Sequence, residues 1–377
     1  LQWADNASLQ LMRALCRDSA GQCLLLIGAY RDNEVSATHP LMDLVRQLEQ
    51  DAGSVQTITL KPLGTRDTNL LLVDTMGQTE LACRPLSDLL YQKTGGNPFF
   101  LTQMLKELHT KGVFRQHPVS GQWTAQLDRV QALEITDNVV DLMVVRLTRL
   151  APVTQELLKT AACVGSRFSI DTLATVVGRP EADVANDLWD ALNQSLVRTL
   201  GEQFSFLHDR VQQAAYSLLS VIERKQLHLR LGRLLVDRLG ADPLENALFD
   251  IVGHFNQALS EVTQPFEKAR VLGLNVRAGK KALRSTASTA ALSFFQTALC
   301  FLPPNSWESD YPLTLDVYTG AVGAAFFCGD FALMNTYSGV VLEQAKTELD
   351  KVPVFTAKHD VCVSQARNLD GIMTVLP

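Results

Sequence analysis

Along most of this chain, apolar residues return every three or four positions, and only a few short stretches break that rhythm. Near the start, Leu9, Met12 and Leu15 or Cys16 predict a helix over Ser8 to Arg17. A continuous apolar run follows, Cys23-Leu24-Leu25-Leu26-Ile27-Gly28, of the length of a buried strand. Leu41, Leu44, Val45 and Leu48 then form the inner face of a helix over Pro40 to Glu49, and Ile58 to Leu60 reads as a further short strand. Helix, strand, helix predicts an α/β beginning with a parallel sheet. After Lys61-Pro62-Leu63 the period becomes helical again, with Leu70 to Val73, then Leu86, Leu89 and Leu90, then Leu101 to Leu108 supplying three short helices.

The stretch Lys93 to Phe100 lies between that beginning and an all-helical remainder. Gly95 and Gly96 permit an unusual backbone path, Asn97 is a helix N-cap and Pro98 suits the first helical position. The helix that follows should run to about Lys111, with Phe100, Met104 and Leu108 on one face and Gly112 as its stop. Taken locally, this is a capped helix start. Gly121-Gln122-Trp123 and the residues to Leu127 predict a turn and a short strand.

From Val139 the pattern predicts four helices: one on Val139, Leu142, Met143, Val145 and Leu147, and a second from Thr154 on Leu157, Leu158, Ala161 and Ala162. Ser169 caps the third, on Ile170, Leu173 and Val177, while Pro180 and Glu181 open the fourth, on Val184, Leu188 and Leu192. Leu196 to Leu200, Gly201-Glu202-Gln203 and Phe204 to Leu207 then read as a hairpin, and helices followed by a hairpin make a winged helix. Such folds often enter DNA, so charge decides the reading. Val139 to Ile222 holds seven Lys and Arg against nine Asp and Glu, and the helix in the reading position carries Glu181, Asp183, Asp187 and Asp190. Phosphates repel such a face, which points to an internal packing role.

The remainder is helical and contains a repeat. Gly279, Ala291, Phe295, Ala298 and Pro303 occupy the small, small, aromatic, small and proline positions of a tetratricopeptide-like unit of about 34 residues. A poorer copy carries Ala325, Gly329-Asp330-Phe331 and Met334 where a small residue is expected. Stacked units of this kind bind proteins or peptides. The last residues, Asp370 to Pro377, read as a truncated array.

At 377 residues the chain calls for two or three domains and not one, and the pattern divides it into the segments 1–61, 62–135, 136–222 and 223–377. It is 46% hydrophobic without an apolar run of bilayer length, so no membrane segment is expected. The formal charge of -6 argues against a nucleic-acid surface built on bulk electrostatics. Seven scattered cysteines without a C-x-x-C pair fit a reducing cytoplasm, where the sequons at Asn6 and Asn193 carry no meaning. Leu1-Gln2-Trp3-Ala4-Asp5 has no initiator Met, charged leader or cleavage pattern, and reads as the interior of a longer chain.

Few residues carry chemistry. Arg31 follows the first predicted strand, where open α/β sheets bind ligands, and it can fork onto phosphate oxygens or pair locally with Asp32 or Glu34. His208-Asp209 begins a helix after the predicted hairpin, where a histidine at a domain interface is an ordinary feature. Gly273 to Lys281 imitates a P-loop but has one residue too many between its glycines, Lys281 in place of a hydroxyl, and no preceding strand. No metal-ligand cluster, nucleophile elbow or kinase catalytic loop is present in the sequence.

Three stretches in one order, Leu1 to Ser8, Leu26 to Val35 and Gly96-Asn97-Pro98-Phe99-Phe100, resemble the signal-transducing AAA+-like (STAND-type) ATPases. More narrowly, they resemble the ATPase module of large bacterial multidomain Ser/Thr kinases and hybrid sensor histidine kinases. The resemblance implies a mostly α chain: the C-terminal part of an α/β P-loop-type core, then a helical lid, a winged helix and tetratricopeptide-like repeats. It implies ATP or ADP with magnesium, the P-loop and the magnesium-binding acids lying before Leu1, so that this chain alone would not hydrolyse ATP. Arg31 would sense the γ-phosphate as a catalytic arginine. Gly96, Asn97 and Pro98 would lie on the adenine side, and His208 would contact the ADP phosphate. ADP would hold the module closed, ATP would open it, and the repeats would sense a protein partner on behalf of kinase domains elsewhere in the parent chain. Two rivals stand beside this reading: a catalytically inactive helical-repeat scaffold, and a winged-helix DNA-binding transcriptional regulator, which the acidic helix opposes.

Overall fold

In the computed structural model of the protein, the residues described are 1, 4, 6–17, 25–30, 35, 40–52, 55–132, 138–238 and 247–364. They are mostly helical, and they divide into two compact units: Leu1–Thr57 together with Leu231–Pro377, and Ile58–Arg230.

The chain opens with α1 (Asn6–Arg17) and α2 (Pro40–Ala52), which bury Leu9 against Leu41, Leu44 and Leu48. Pro40 stands first in α2, where its missing N–H costs nothing. Neither strand expected in this part is formed. Residues 25–30 and 55–64 carry no regular secondary structure, and Leu25, Ile27, Ile58 and Leu60 are exposed. An apolar run becomes a strand only when a neighbouring strand takes its N–H and C=O groups, and among the described residues none does.

The second unit starts with three helices, α3 (Thr65–Met76), α4 (Glu80–Thr94) and α5 (Pro98–Thr110). Each boundary has a local cause. The Asp67 carboxylate accepts from the Gly64 N–H at 3.1 Å, Thr79 Oγ1 accepts from Ala82 N–H at 3.3 Å, and left-handed Gly77 and Gly95 end α3 and α4. The antiparallel pair β1 (Phe114–Gln116) and β2 (Trp123–Ala125) follows, then α6 (Leu127–Ala132). Only β2 was legible from the sequence.

Next come α7 (Val139–Leu147), α8 (Pro152–Val164), β3 (Arg167–Phe168), α9 (Ile170–Val177), α10 (Glu181–Asp187), α11 (Trp189–Asn193), β4 (Val197–Leu200), β5 (Gln203–Phe206) and α12 (Asp209–Ser217). The predicted hairpin is present as β4 and β5, paired from Val197↔Phe206 to Leu200↔Gln203. β3 joins its other edge, giving the antiparallel order β3-β5-β4. The fourth predicted helix breaks at Leu188 into α10 and α11. One continuous apolar core runs through the unit, from Leu72, Leu90, Leu101, Met104 and Leu108 to Met143, Leu157, Leu173, Val184, Val197 and Ala214. The three early helices and the helix-and-hairpin segment therefore share a single interior.

α13 (Val221–Arg238) leads to α14 (Leu248–Asn256), a short 3-10 turn (Leu259–Glu261), α15 (Pro265–Arg284), α16 (Ser288–Phe301), α17 (Ser306–Ser309), α18 (Tyr311–Cys328), α19 (Phe331–Gln344) and α20 (Glu348–Ser364). In the first expected repeat, Phe295 is fully buried, and a Cβ on Gly279 or on Gly320 would come within 2.8 or 2.4 Å of its ring. Those glycines are what let α15 and α18 close on α16. The P-loop lookalike lies wholly within α15, with Gly279 serving this packing. In the second copy, Gly329 turns left-handed at φ 74°, Asp330 caps α19 by accepting from Leu333 N–H at 3.0 Å, and Met334 is buried with Val322, Val341 and Val354. The larger Met334 is accommodated because α20 adds Val354 and Ala357 around it. The expected truncated end at 370–377 lies outside the described residues.

Candidate functional site

The site is built from the backbone outward at the start of α5. Gly95 donates to the Tyr91 carbonyl at 2.8 Å and ends α4, and Gly96 continues left-handed at φ 71°. Gly96 is buried, its carbonyl accepts from the Leu63 N–H at 2.9 Å, and a Cβ there would stand 2.0 Å from the Leu63 carbonyl oxygen. Glycine is required on both counts, by conformation and by contact. Asn97 then caps α5, its Oδ1 accepting from Phe100 N–H at 3.0 Å. Pro98 enters at the first helical position with its ring exposed, whereas Phe100 turns into the core.

His208 arrives from the far side of the sequence. It is the N-cap of α12, with Nδ1 accepting from Arg210 N–H at 3.2 Å and lying 2.5 Å from Asp209 Oδ1. The ring therefore has two settings: a proton on Nδ1 pairs it with Asp209, and a proton on Nε2 alone leaves Nδ1 to cap the helix. Its side chain is about one-third exposed (35%).

Phe99 connects the two. Its ring stacks on the His208 imidazole with centroids 4.0 Å apart and planes at 13°, while its other side edges the core of the unit. Of the residues singled out in the sequence, His208 thus meets the residue that directly follows the Gly96-Asn97-Pro98 turn, and that residue was not itself singled out as a site. The available signal was an aromatic side chain next to an exposed proline, on the helical position beside the core-facing Phe100. Arg31 lies outside the described residues.

The exposed Pro98 ring is an apolar edge, and the partly exposed His208 imidazole can donate an N–H. Among the described residues, no group of three His, Cys, Asp or Glu could hold a metal ion. No described helix is long and apolar enough to cross a membrane.

No protein-family model matches the chain. It is similar to the curated "Hybrid signal transduction histidine kinase G" of Dictyostelium discoideum, 25% identical over 387 aligned positions that cover 86% of this chain and 11% of that protein. The chain thus spans only about a tenth of the length of that relative. A solved structure also resembles it, a STAND protein with a tetratricopeptide repeat sensor from Pyrococcus horikoshii. That likeness has 15% identity and a TM-score of 0.36, and covers 83% of this chain and 46% of that one.

Proposed function

We propose that this chain is the lid, winged-helix and helical-repeat part of a regulatory nucleotide switch within a larger signalling polypeptide. The observation that carries the proposal is the stacking of His208 on Phe99, the residue that follows the Gly96-Asn97-Pro98 turn. The similarity to a hybrid histidine kinase supports the signalling context. In this reading the adenine lies against Pro98, and Nε2 of His208 donates to a phosphate of ADP. Arg31 answers to the γ-phosphate of ATP, whose magnesium is held by residues outside this chain. Residues 1–61 belong to the α/β core, 62–135 form the lid, 136–222 the winged helix and 223–377 the repeats, which bind a protein partner and bias the switch for an attached kinase domain. A ligand moves such an equilibrium only by contacting its two states differently, and a phosphate seen by His208 in one of them is sufficient.

The DNA-binding reading loses support because Glu181, Asp183 and Asp190 all face solvent on α10 and α11, where phosphates would have to approach.

The test is equilibrium binding of ADP and of ATP with magnesium to the polypeptide that carries this chain. His208→Ala is expected to weaken ADP by about tenfold, the worth of one charge-assisted hydrogen bond, with less effect on ATP. Pro98→Ala should weaken both nucleotides together. Unchanged affinity for both nucleotides in both variants overturns the switch and leaves the helical-repeat scaffold in its place.

A further inference from the structure

Beside α5 lies a half-open cavity of about 800 Å³, lined by α3, α5, the end of α7, the β1–β2 hairpin and the turn after α11. Its lining on α5 begins at Thr102, one turn beyond Pro98, and ends at Thr110, roughly 18 Å along the helix from Pro98. Its volume lies within the range of small-molecule pockets. One wall is apolar, made by Leu72, Met76, Leu105, Phe114 and Trp123, the last packed edge-on to His109 at 5.8 Å.

The lining also holds Arg146, a residue with only 9% of its surface exposed. Nη1 donates to Gln103 Oε1 and Nη2 to the Gln194 carbonyl at 2.9 Å, so both acceptors are neutral. The turn at Asn193–Ser195, with Ser195 at φ 54°, is what aims that carbonyl. Its neighbour Arg149 differs, since it grips the buried Glu107 carboxylate with both Nη atoms at 2.8 Å, and Lys111 approaches the same carboxylate at 3.5 Å. The cavity lining therefore contains Lys106, Arg146 and Arg149 against one carboxylate, already engaged. Burying a cation against neutral acceptors is costly, and an anion entering the cavity relieves that cost. Burial lowers the pKa of Arg146, an effect that Glu107 opposes and Arg149 reinforces.

The geometry points to a binding site for a small amphipathic carboxylate, its apolar body among Leu105, Phe114 and Trp123 and its carboxylate on Arg146. Nothing in this assignment depends on nucleotide binding.

The test is calorimetric titration of the full chain with 3-phenylpropanoate and with uncharged 3-phenylpropanamide. The acid is expected to bind at least about tenfold tighter than the amide, the difference one charge-assisted hydrogen bond makes. Arg146→Met should abolish that preference, and Trp123→Ala should weaken both ligands. Should Arg146→Met not fold, the acid and amide on the unaltered chain still decide, together with Leu105→Trp, which fills the cavity and should abolish acid binding. Equal affinity for acid and amide, or no binding of either at millimolar concentration, overturns the proposal. So does an N-acetylated peptide ending in phenylalanine that binds more than about tenfold tighter than the free acid, because the occupant is then the end of a protein chain.

Discussion

The imidazole of His208 lies face to face with the ring of Phe99, 4.0 Å between centroids and 13° between planes, although the two belong to helix starts far apart in the sequence. The contact fixes the entry of α12 against the entry of α5. It also holds the imidazole in an orientation where its remaining freedom is which nitrogen carries the proton.

The stack itself is measurable by a double-mutant cycle. Phe99→Leu and His208→Ala, alone and together, are expected to show a coupling of about 0.5–1.5 kcal/mol in urea unfolding, the usual worth of an aromatic pair beyond its buried area. Additive effects would mean that the rings merely lie near each other.

The two glycines before Asn97 separate two causes of strain. A methyl on Gly95 meets nothing within 4 Å, so Gly95→Ala is charged only for its left-handed backbone at φ 56°, about 1–2 kcal/mol. Gly96→Ala carries the same backbone cost and also drives Cβ to 2.0 Å from the Leu63 carbonyl oxygen, which the Gly96–Leu63 hydrogen bond holds in place. It is expected to lose more than about 3 kcal/mol or to fail to fold. Equal losses in thermal unfolding would show that Leu63 gives way freely.

His228 gives the unit a pH dependence. Burial lowers its pKa, and its Nε2 lies 3.2 Å from the Tyr216 hydroxyl, whose own pKa burial raises. Above pH of about 6.5 the imidazole is neutral in both folded and unfolded chains and its contribution is fully present. As pH falls below that, the unfolded chain binds a proton that the buried ring resists, so stability drops by up to about 1.4 kcal/mol per pH unit until the lowered folded-state pKa is passed. His228→Gln should flatten the urea-unfolding profile between pH 7 and the acid side of this window. The carboxylates held low, Glu267 by its hydrogen bonds from Arg233 foremost, lose their contribution only at more acid pH. Parallel profiles for the two proteins would remove His228 as the cause.

What the sequence disclosed and what it hid follow from the range of the forces involved. Asn97, Ser169 and Gly112 mark helix ends through bonds to residues three or four away, so they were readable in place. The packing partners Gly279 and Phe295 were readable too, as the small and aromatic positions of one expected unit. β1 and β3 were not, being three and two residues long and defined by partners elsewhere, as Phe168 is by Phe204. The apolar runs at 25–28 and 58–60 misled for the converse reason: a strand is a property of a sheet, and the run alone does not supply one. Of the candidate site, the Gly96-Asn97-Pro98 turn and His208 were visible as separate signals. The Phe99–His208 stack, and Arg146 facing a cavity from the last turn of α7, depend on contacts across the unit that no local pattern encodes.

In the repeats, one ring sets the spacing of three helices. Phe295 is fully buried, with Gly279 of α15 on one side and Gly320 of α18 on the other, where an added Cβ would approach to 2.8 and 2.4 Å. Phe295→Ala is expected to cost about 3–5 kcal/mol through the cavity left behind. Gly320→Ala should cost about 1–3 kcal/mol through overpacking, because the ring has no open space into which to retreat. The two changes are opposite in volume at the same contact, so they should not add: Phe295→Leu combined with Gly320→Ala is expected to be more stable than the sum of its single variants predicts, by about 1 kcal/mol. Thermal unfolding of the four proteins checks this. Strict additivity would show that α16 and α18 are spaced by some other contact, and the aromatic position of the repeat would then be a consequence of the packing and not its determinant.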